Sequence, residues 1–99
     1  MNPEAQRIAI AEACGWKQQH SKAKGEVRWY APDGHNYLLP PDYLNDLNAM
    51  HEAEKVKIIG TEYESDYCMY LYENAHQCFA TPAQRAEAFL RTLNLWTES

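Results

Sequence analysis

Ninety-nine residues, 45% of them hydrophobic and including three Trp, seven Tyr and two Phe, suffice for one domain with its own core, spanning 1–99. The formal net charge of −5 argues against a general nucleic-acid binder, because neutralising phosphates needs a basic excess, and it favours solubility or a basic partner. The three cysteines, Cys14, Cys68 and Cys78, are odd in number and form no Cys-x-x-Cys, so they point to free thiols in a reducing compartment rather than to a disulfide framework or a zinc knuckle.

Glu4, Arg7 and Glu12 fall within the first residues and speak against a secretory apolar segment. No run approaches the length of a membrane span, so no membrane partner is expected. The first element is a helix from about Pro3 to Cys14. Asn2 suits its cap, Pro3 its first position and Gly15 its left-handed stop. Ala5, Ile8 and Ala11 or Glu12 define the expected inward face, and Trp16 is expected to fold back onto the core.

Residues 17–25 are polar and basic and read as a loop. Val27, Trp29 and Ala31 then alternate with Arg28 and Tyr30, which is strand period. Pro32-Asp33-Gly34 makes a turn, and His35 to Leu39 returns as a second strand. Pro40-Pro41 breaks the sheet. A helix capped by Asn45 or Asp46 follows and ends near Lys55 or Val56.

Residues 61–77 carry two patterns. Tyr67, Met69 and Leu71 alternate like a strand. Thr61-x-x-Glu64 reads as a capping box, and Tyr63, Tyr67, Leu71 and Ala75 recur every four residues, which selects a helix. Residues 77–80 offer a short third strand with Cys78 or Phe79 inward. Thr81-x-x-Gln84 is a second capping box, with Pro82 at the first helical position. Ala83, Ala86, Leu90 and Leu93 line the inward stripe of this last helix with Phe89 and Trp96 beside it, while Arg85, Glu87 and Arg91 are expected outward.

The fold expected is therefore α+β: a small antiparallel sheet, with a hairpin at 26–39 and the third strand near 77–80, layered with about four helices. Its core should contain Ile8, Trp29, Leu47, Met50, Leu71, Phe79, Phe89, Leu90, Leu93 and Trp96.

Two segments, DLNAMHEAEK (Asp46 to Lys55) and ATPAQRAEAFLRTLNLW (Ala80 to Trp96), resemble as a pair the small phage and prophage proteins grouped as the phage ABA sandwich family. The run from Ala83 to Leu90 is the most specific part. The short helix into Gly15-Trp16 and the strand ending in Pro32-Asp33-Gly34 are similar too. The resemblance implies a phage origin, a helix–sheet–helix layering and activity in the host cytoplasm. It carries over no catalytic residue, and the chain departs from the pattern at Pro82, Gln18 to Gly25 and the Tyr-rich 63–72 stretch.

Cys68, His76 and Cys78 offer zinc ligands, with His20, His35 or His51 as a fourth, yet only His76-x-Cys78 is closely spaced. His51-Glu52-Ala53-Glu54 begins like a zinc-protease motif, but Lys55 stands where the second His is required. No thiol has an evident base beside it and no Gly-rich phosphate loop occurs. An enzyme is therefore not expected, nor a cofactor. Lys17, His20, Lys22, Lys24 and Arg28 form a basic patch, read as a solvated loop.

The last feature is the acidic stretch. Between Gly60 and Gln84 the formal charges are Glu62, Glu64, Asp66 and Glu73, interleaved with Tyr63, Tyr67, Tyr70 and Tyr72. Exposed Tyr among carboxylates suits an interface with a Lys/Arg-lined surface. The expectation is a non-enzymatic accessory protein that binds a host protein with a basic surface, a nucleic-acid-handling or defence component, through Glu62, Tyr63, Glu64, Asp66, Tyr67, Tyr70 and Glu73. The alternatives are a self-associating assembly module, with a homodimer compatible with the charge pattern, and a small metal protein built on Cys68, His76 and Cys78.

Overall fold

The computed structural model describes residues 1–20, 27–74 and 79–98. Four helices and a three-stranded antiparallel sheet make an α+β domain: α1 (Pro3–Ala13), β1 (Lys17–His20), β2 (Val27–Tyr30), β3 (Asn36–Tyr37), α2 (Leu47–Lys57), α3 (Glu64–Asn74) and α4 (Pro82–Thr92). The sheet order is β1-β2-β3. The core lies among the helices, where α4 packs against α1, α2 and α3 in turn.

Local chemistry fixes where three of the helices begin. Asn2 Oδ1 accepts from Ala5 N at 2.7 Å, and Asp46 Oδ1 accepts from Asn48 N at 3.0 Å. At α4 the capping box is complete: Thr81 Oγ1 accepts from Gln84 N at 3.1 Å, and Gln84 Oε1 accepts from Thr81 N at 2.8 Å. Each cap supplies an acceptor to a backbone N–H that has no intrahelical partner. Asn94, at φ 61°, ends α4 in the left-handed conformation, and Leu95 N donates back to Leu90 O at 2.8 Å.

The other box differs from expectation. Thr61 Oγ1 donates to Ile58 O at 2.6 Å and to Lys57 O at 3.1 Å, closing the end of α2. Helix α3 starts only at Glu64, so Thr61 serves the preceding helix instead of capping the next.

Buried Ile10, Ala11, Met50, Ala53, Leu71, Ala86, Ala88, Phe89 and Leu90 form the centre, with Trp29 and Tyr43 at its sheet side. Ile8, Leu93 and Trp96 are half-buried against it. Several expectations are corrected. Gln6 and Ile10, rather than Ala5 and Ile8, take the deepest α1 positions, and Glu12 is exposed. Leu47 is 41% and Phe79 80% exposed, so neither belongs to the core. Leu47 opens α2 directly after its cap, Asp46.

The third strand is not at 77–80. Gln77 and Cys78 lie outside the described residues, and Phe79 and Ala80 are not strand. Instead Lys17–His20, expected as loop, pairs with β2 in the register Lys17↔Tyr30 to His20↔Val27. The hairpin expected at 26–39 forms from β2 and a shorter β3, with Trp29 opposite Tyr37. Gly34, at φ 94°, completes its turn, where Asp33 Oδ1 accepts from His35 N at 3.0 Å. Gly15, at φ 95°, reverses the chain after α1, and a Cβ there would sit 3.3 Å from Pro32 Cγ. The Trp16 and Tyr37 rings meet at 5.5 Å between centroids, which ties the sheet to that reversal. Arg7 donates to the carbonyls of Pro40 and Pro41, clamping the segment before α2 onto α1.

Leu90→Ala is expected to lower the unfolding free energy by about 2–5 kcal/mol, the range for a buried leucine that leaves a cavity. Urea denaturation at neutral pH measures it. A loss within the noise of a surface substitution would contradict the placement of α4 at the centre.

Candidate functional site

The sequence places its acidic, Tyr-rich candidates at 62–73, and the structure sorts them by side of α3. The helix buries just Tyr67 and Leu71. These lie four residues apart, so they form a single narrow stripe. Tyr67 is 2% exposed and is removed from the expected contact face. Tyr63 and Tyr70 are half-buried at the edges of the stripe.

The Tyr67 hydroxyl lies near a buried charge pair. Arg85 Nη1 donates to Glu54 Oε2 at 3.1 Å, with the two side chains 12% and 8% exposed. This corrects the expectation that Arg85 points to solvent. His51 Nδ1 donates to the other oxygen of Glu54 at 3.0 Å. The Tyr67 hydroxyl makes no hydrogen bond of ordinary geometry here but lies close enough to feel both charges. Burial raises the phenol well above its usual range; Glu54 raises it further and Arg85 opposes.

At the other edge, Tyr70 Oη donates to Glu87 Oε2 at 2.7 Å. Burial, then the Glu87 hydrogen bond, raises Tyr70, so the pair is not an acid–base couple poised for neutral pH. Arg91 bridges from Glu87 at 3.3 Å to the Trp96 ring, 4.6 Å from its centroid. Glu87 and Arg91 thus knit the edges of α4 rather than simply facing water.

What remains outward is a continuous stripe. Glu62, Ser65, Asp66, Met69, Tyr72 and Glu73 are all exposed, with Met69 at 56% and Tyr72 at 72%. Spacings of three and four along α3 bring Ser65, Asp66, Met69, Tyr72 and Glu73 onto one side, and Glu62 is exposed in the turn before the helix. Glu64 is also exposed, in the first turn of α3. Of the residues expected to bind a partner, Glu62, Glu64, Asp66 and Glu73 are therefore fully presented, Tyr63 and Tyr70 partly, and Tyr67 not at all. Met69 and Tyr72 complete the face. Met69 carries no charge or ring to flag it, and Tyr72 is distinguished from its neighbours only by helical phase.

The remaining candidates are separated. Cys68 is half-buried on α3, while His76 and Cys78 lie outside the described residues. No group of three or more His, Cys, Asp or Glu suited to a metal occurs among the described residues. Lys17 and His20 stand exposed on β1, Arg28 is half-buried on β2, and Lys22 and Lys24 lie outside the described residues. No helix among the described residues is long and apolar enough to cross a membrane.

Clefts of about 500 and 540 Å³ flank α1. The first is lined by Gln6, Tyr70, Asn74, Gln84 and Glu87. The second lies between α1 and the sheet, lined by Ile8, Trp29, Leu38, Leu39 and Leu44. Neither lining brings a Ser, Thr or Cys nucleophile beside a base. Cys14, in a smaller groove, is pushed up from an ordinary 9.0 to about 11 by burial, with Lys57 opposing, so its thiol stays protonated at neutral pH.

Comparison with protein-family models, with curated proteins and with solved structures finds no match.

The Cys14 shift has a sign that can be measured. A thiol whose folded value lies above its unfolded value stabilises the fold fully below about pH 9, and that contribution is lost as pH rises towards about 11. Tyr43 and Tyr67, also raised by burial, act in the same direction. Thermal melts should therefore hold a constant midpoint up to about pH 9 and fall above it, with a shallower fall in Cys14→Ala. Parallel falls in both proteins would contradict a buried, protonated Cys14.

Proposed function

We propose that this chain is a non-enzymatic phage accessory protein that acts by binding a host protein, a nucleic-acid-handling or defence component, through the outward stripe of α3. One observation carries the reading: Met69 and Tyr72 stand exposed on α3 with Asp66 and Glu73 on the same outward side and Glu62 in the turn that leads into the helix. An apolar pair ringed by carboxylates matches an apolar floor edged by Lys and Arg. The pair would supply the desolvated anchor, and the carboxylates would steer and select. A bare phosphate backbone would repel this face, which favours a protein that itself handles nucleic acid. The phage and host setting rests on the resemblance carried by Asp46 to Lys55 and Ala80 to Trp96, and the location in the host cytoplasm follows from it.

The test is affinity capture from host lysate at about 150 mM salt, where weak long-range charge effects are already screened. Wild type should retain a partner. Met69→Ala/Tyr72→Ala should weaken retention by at least about tenfold, the scale of a lost hot spot, and reversal of Glu62, Glu64 and Asp66 should do likewise. Both variants are first checked for native circular dichroism. Equal retention by all three proteins, or none by wild type, would overturn the reading.

A further inference from the structure

Helices α1 and α3 both pack against α4, and residues of all three line the cleft of about 500 Å³. Its polar side chains besides Tyr70 are Gln6 from α1, Asn74 from α3, and Gln84 and Glu87 from α4. Each of these four has one end tied to the protein. Gln6 Nε2 donates to Met1 O at 3.1 Å, and Asn74 Nδ2 donates to Tyr70 O at 2.9 Å. Gln84 Oε1 accepts from Thr81 N at 2.8 Å, and Glu87 Oε2 accepts from Tyr70 Oη at 2.7 Å. The other ends make no hydrogen bond among the described residues: Gln6 Oε1, Asn74 Oδ1 and Glu87 Oε1 as acceptors, and Gln84 Nε2 as donor. Gln6 is only 8% exposed, and an acceptor so deeply set is costly to leave without a hydrogen bond.

The unspent groups select the chemistry of a ligand. Acceptors outnumber donors, and the Glu87 carboxylate is the one formal charge in the lining. Arg91 meets Glu87 Oε2 at 3.3 Å but does not line the cleft. An ammonium or amidinium head consists of N–H donors alone, whereas a hydroxyl or a neutral amide would turn lone pairs of its own on these acceptors. A cation also gains the stronger, charge-assisted bond to a carboxylate. Leu44, Leu71 and Ala83 supply apolar wall for the rest of the molecule. The volume falls within the range of about 300–1,000 Å³ typical of small-molecule sites.

We propose that this cleft binds a small organic cation with an apolar body. Its ammonium or amidinium head donates to Glu87 Oε1 and to the side-chain carbonyl oxygens of Gln6 and Asn74, and its body lies along Leu44, Leu71 and Ala83. Gln84 Nε2 is left for an acceptor on the body. Because each polar side chain is already tied at one end, little rotamer freedom remains to be lost when the ligand arrives. Met69 and Tyr72 do not line the cleft, so the site is independent of the outward stripe of α3.

Titration of the full chain with benzamidine tests this, followed by backbone amide NMR shifts and by calorimetry. Benzamide and benzoate are the comparisons: they keep the ring and change the head from cation to neutral amide to anion. Benzamidine should bind saturably and one-to-one, and it should shift the amides of Gln6, Asn74, Gln84 and Glu87. Benzamide and benzoate should bind at least about tenfold more weakly, the scale of one charge-assisted hydrogen bond. Ala83→Phe, at an exposed position of the lining, fills the cleft, and Glu87→Gln removes its charge. Each should weaken benzamidine binding by at least about tenfold. Glu12→Gln removes an exposed carboxylate outside the cleft and should leave the affinity unchanged. Circular dichroism confirms that each variant is folded. Benzamidine binding that does not saturate, shifts that map elsewhere, or equal binding of benzamide or benzoate overturns the inference. So does an unchanged affinity in Ala83→Phe or Glu87→Gln, or a loss in Glu12→Gln as large as theirs.

Discussion

Glu54 and Arg85 form a buried ion pair that joins α2 to α4 and acts on the Tyr67 hydroxyl of α3. Removing two charges from water costs several kcal/mol per ion, and their attraction repays that only when the geometry is good. Here the carboxylate takes Arg85 on one oxygen and His51 on the other. Such a pair adds less to stability than to uniqueness: a sliding or rotated α2 or α4 would leave one charge buried alone. With Tyr67 beside it and Leu71 buried in the core, α3 turns Met69, Tyr72, Asp66 and Glu73 outward.

The division of labour between α4 and α3 follows from composition. Ala86, Ala88, Phe89 and Leu90 let α4 be approached on several sides, and its neighbours close around it. Ala86 and Ala88 permit close helix contact, while Phe89 and Leu90 fill the space between helices. Helix α3 buries only two positions, so most of its circumference stays free for polar and aromatic side chains. A helix with so narrow a buried stripe holds its place through its neighbours, and its exposed side is available to a partner without disturbing the core. The sheet stands beside this helical core, joined to it through Trp29, Trp16 and the Gly15–Pro32 approach.

Much of this was legible from the residues. Asn2, Asp46 and Thr81 announce three helix starts by short-range chemistry that tertiary contacts do not override. The four-residue recurrence of Tyr67 and Leu71 located α3 correctly as a helix. Lys17–His20 escaped because all four side chains are exposed; a strand without a buried side has no period-two signal, and only backbone pairing with β2 makes it one. Arg85 escaped because its partner, Glu54, is 31 residues away in sequence, and nothing local marks a long-range ion pair. Within the candidate site, charge identified Glu62, Asp66 and Glu73, but the choice among the tyrosines depended on helical phase against α4, which placed Tyr67 inside and Tyr72 outside.

The most direct test of this account is a double-mutant cycle on Glu54 and Arg85, read by urea denaturation. Removing one partner should destabilise the fold by about 3–5 kcal/mol, because the other charge is left buried, whereas joint replacement by Leu and Met should cost far less than the sum. Single effects that are small and simply add would mean that the pair does not set α3 in place, and the outward stripe would lose its physical basis.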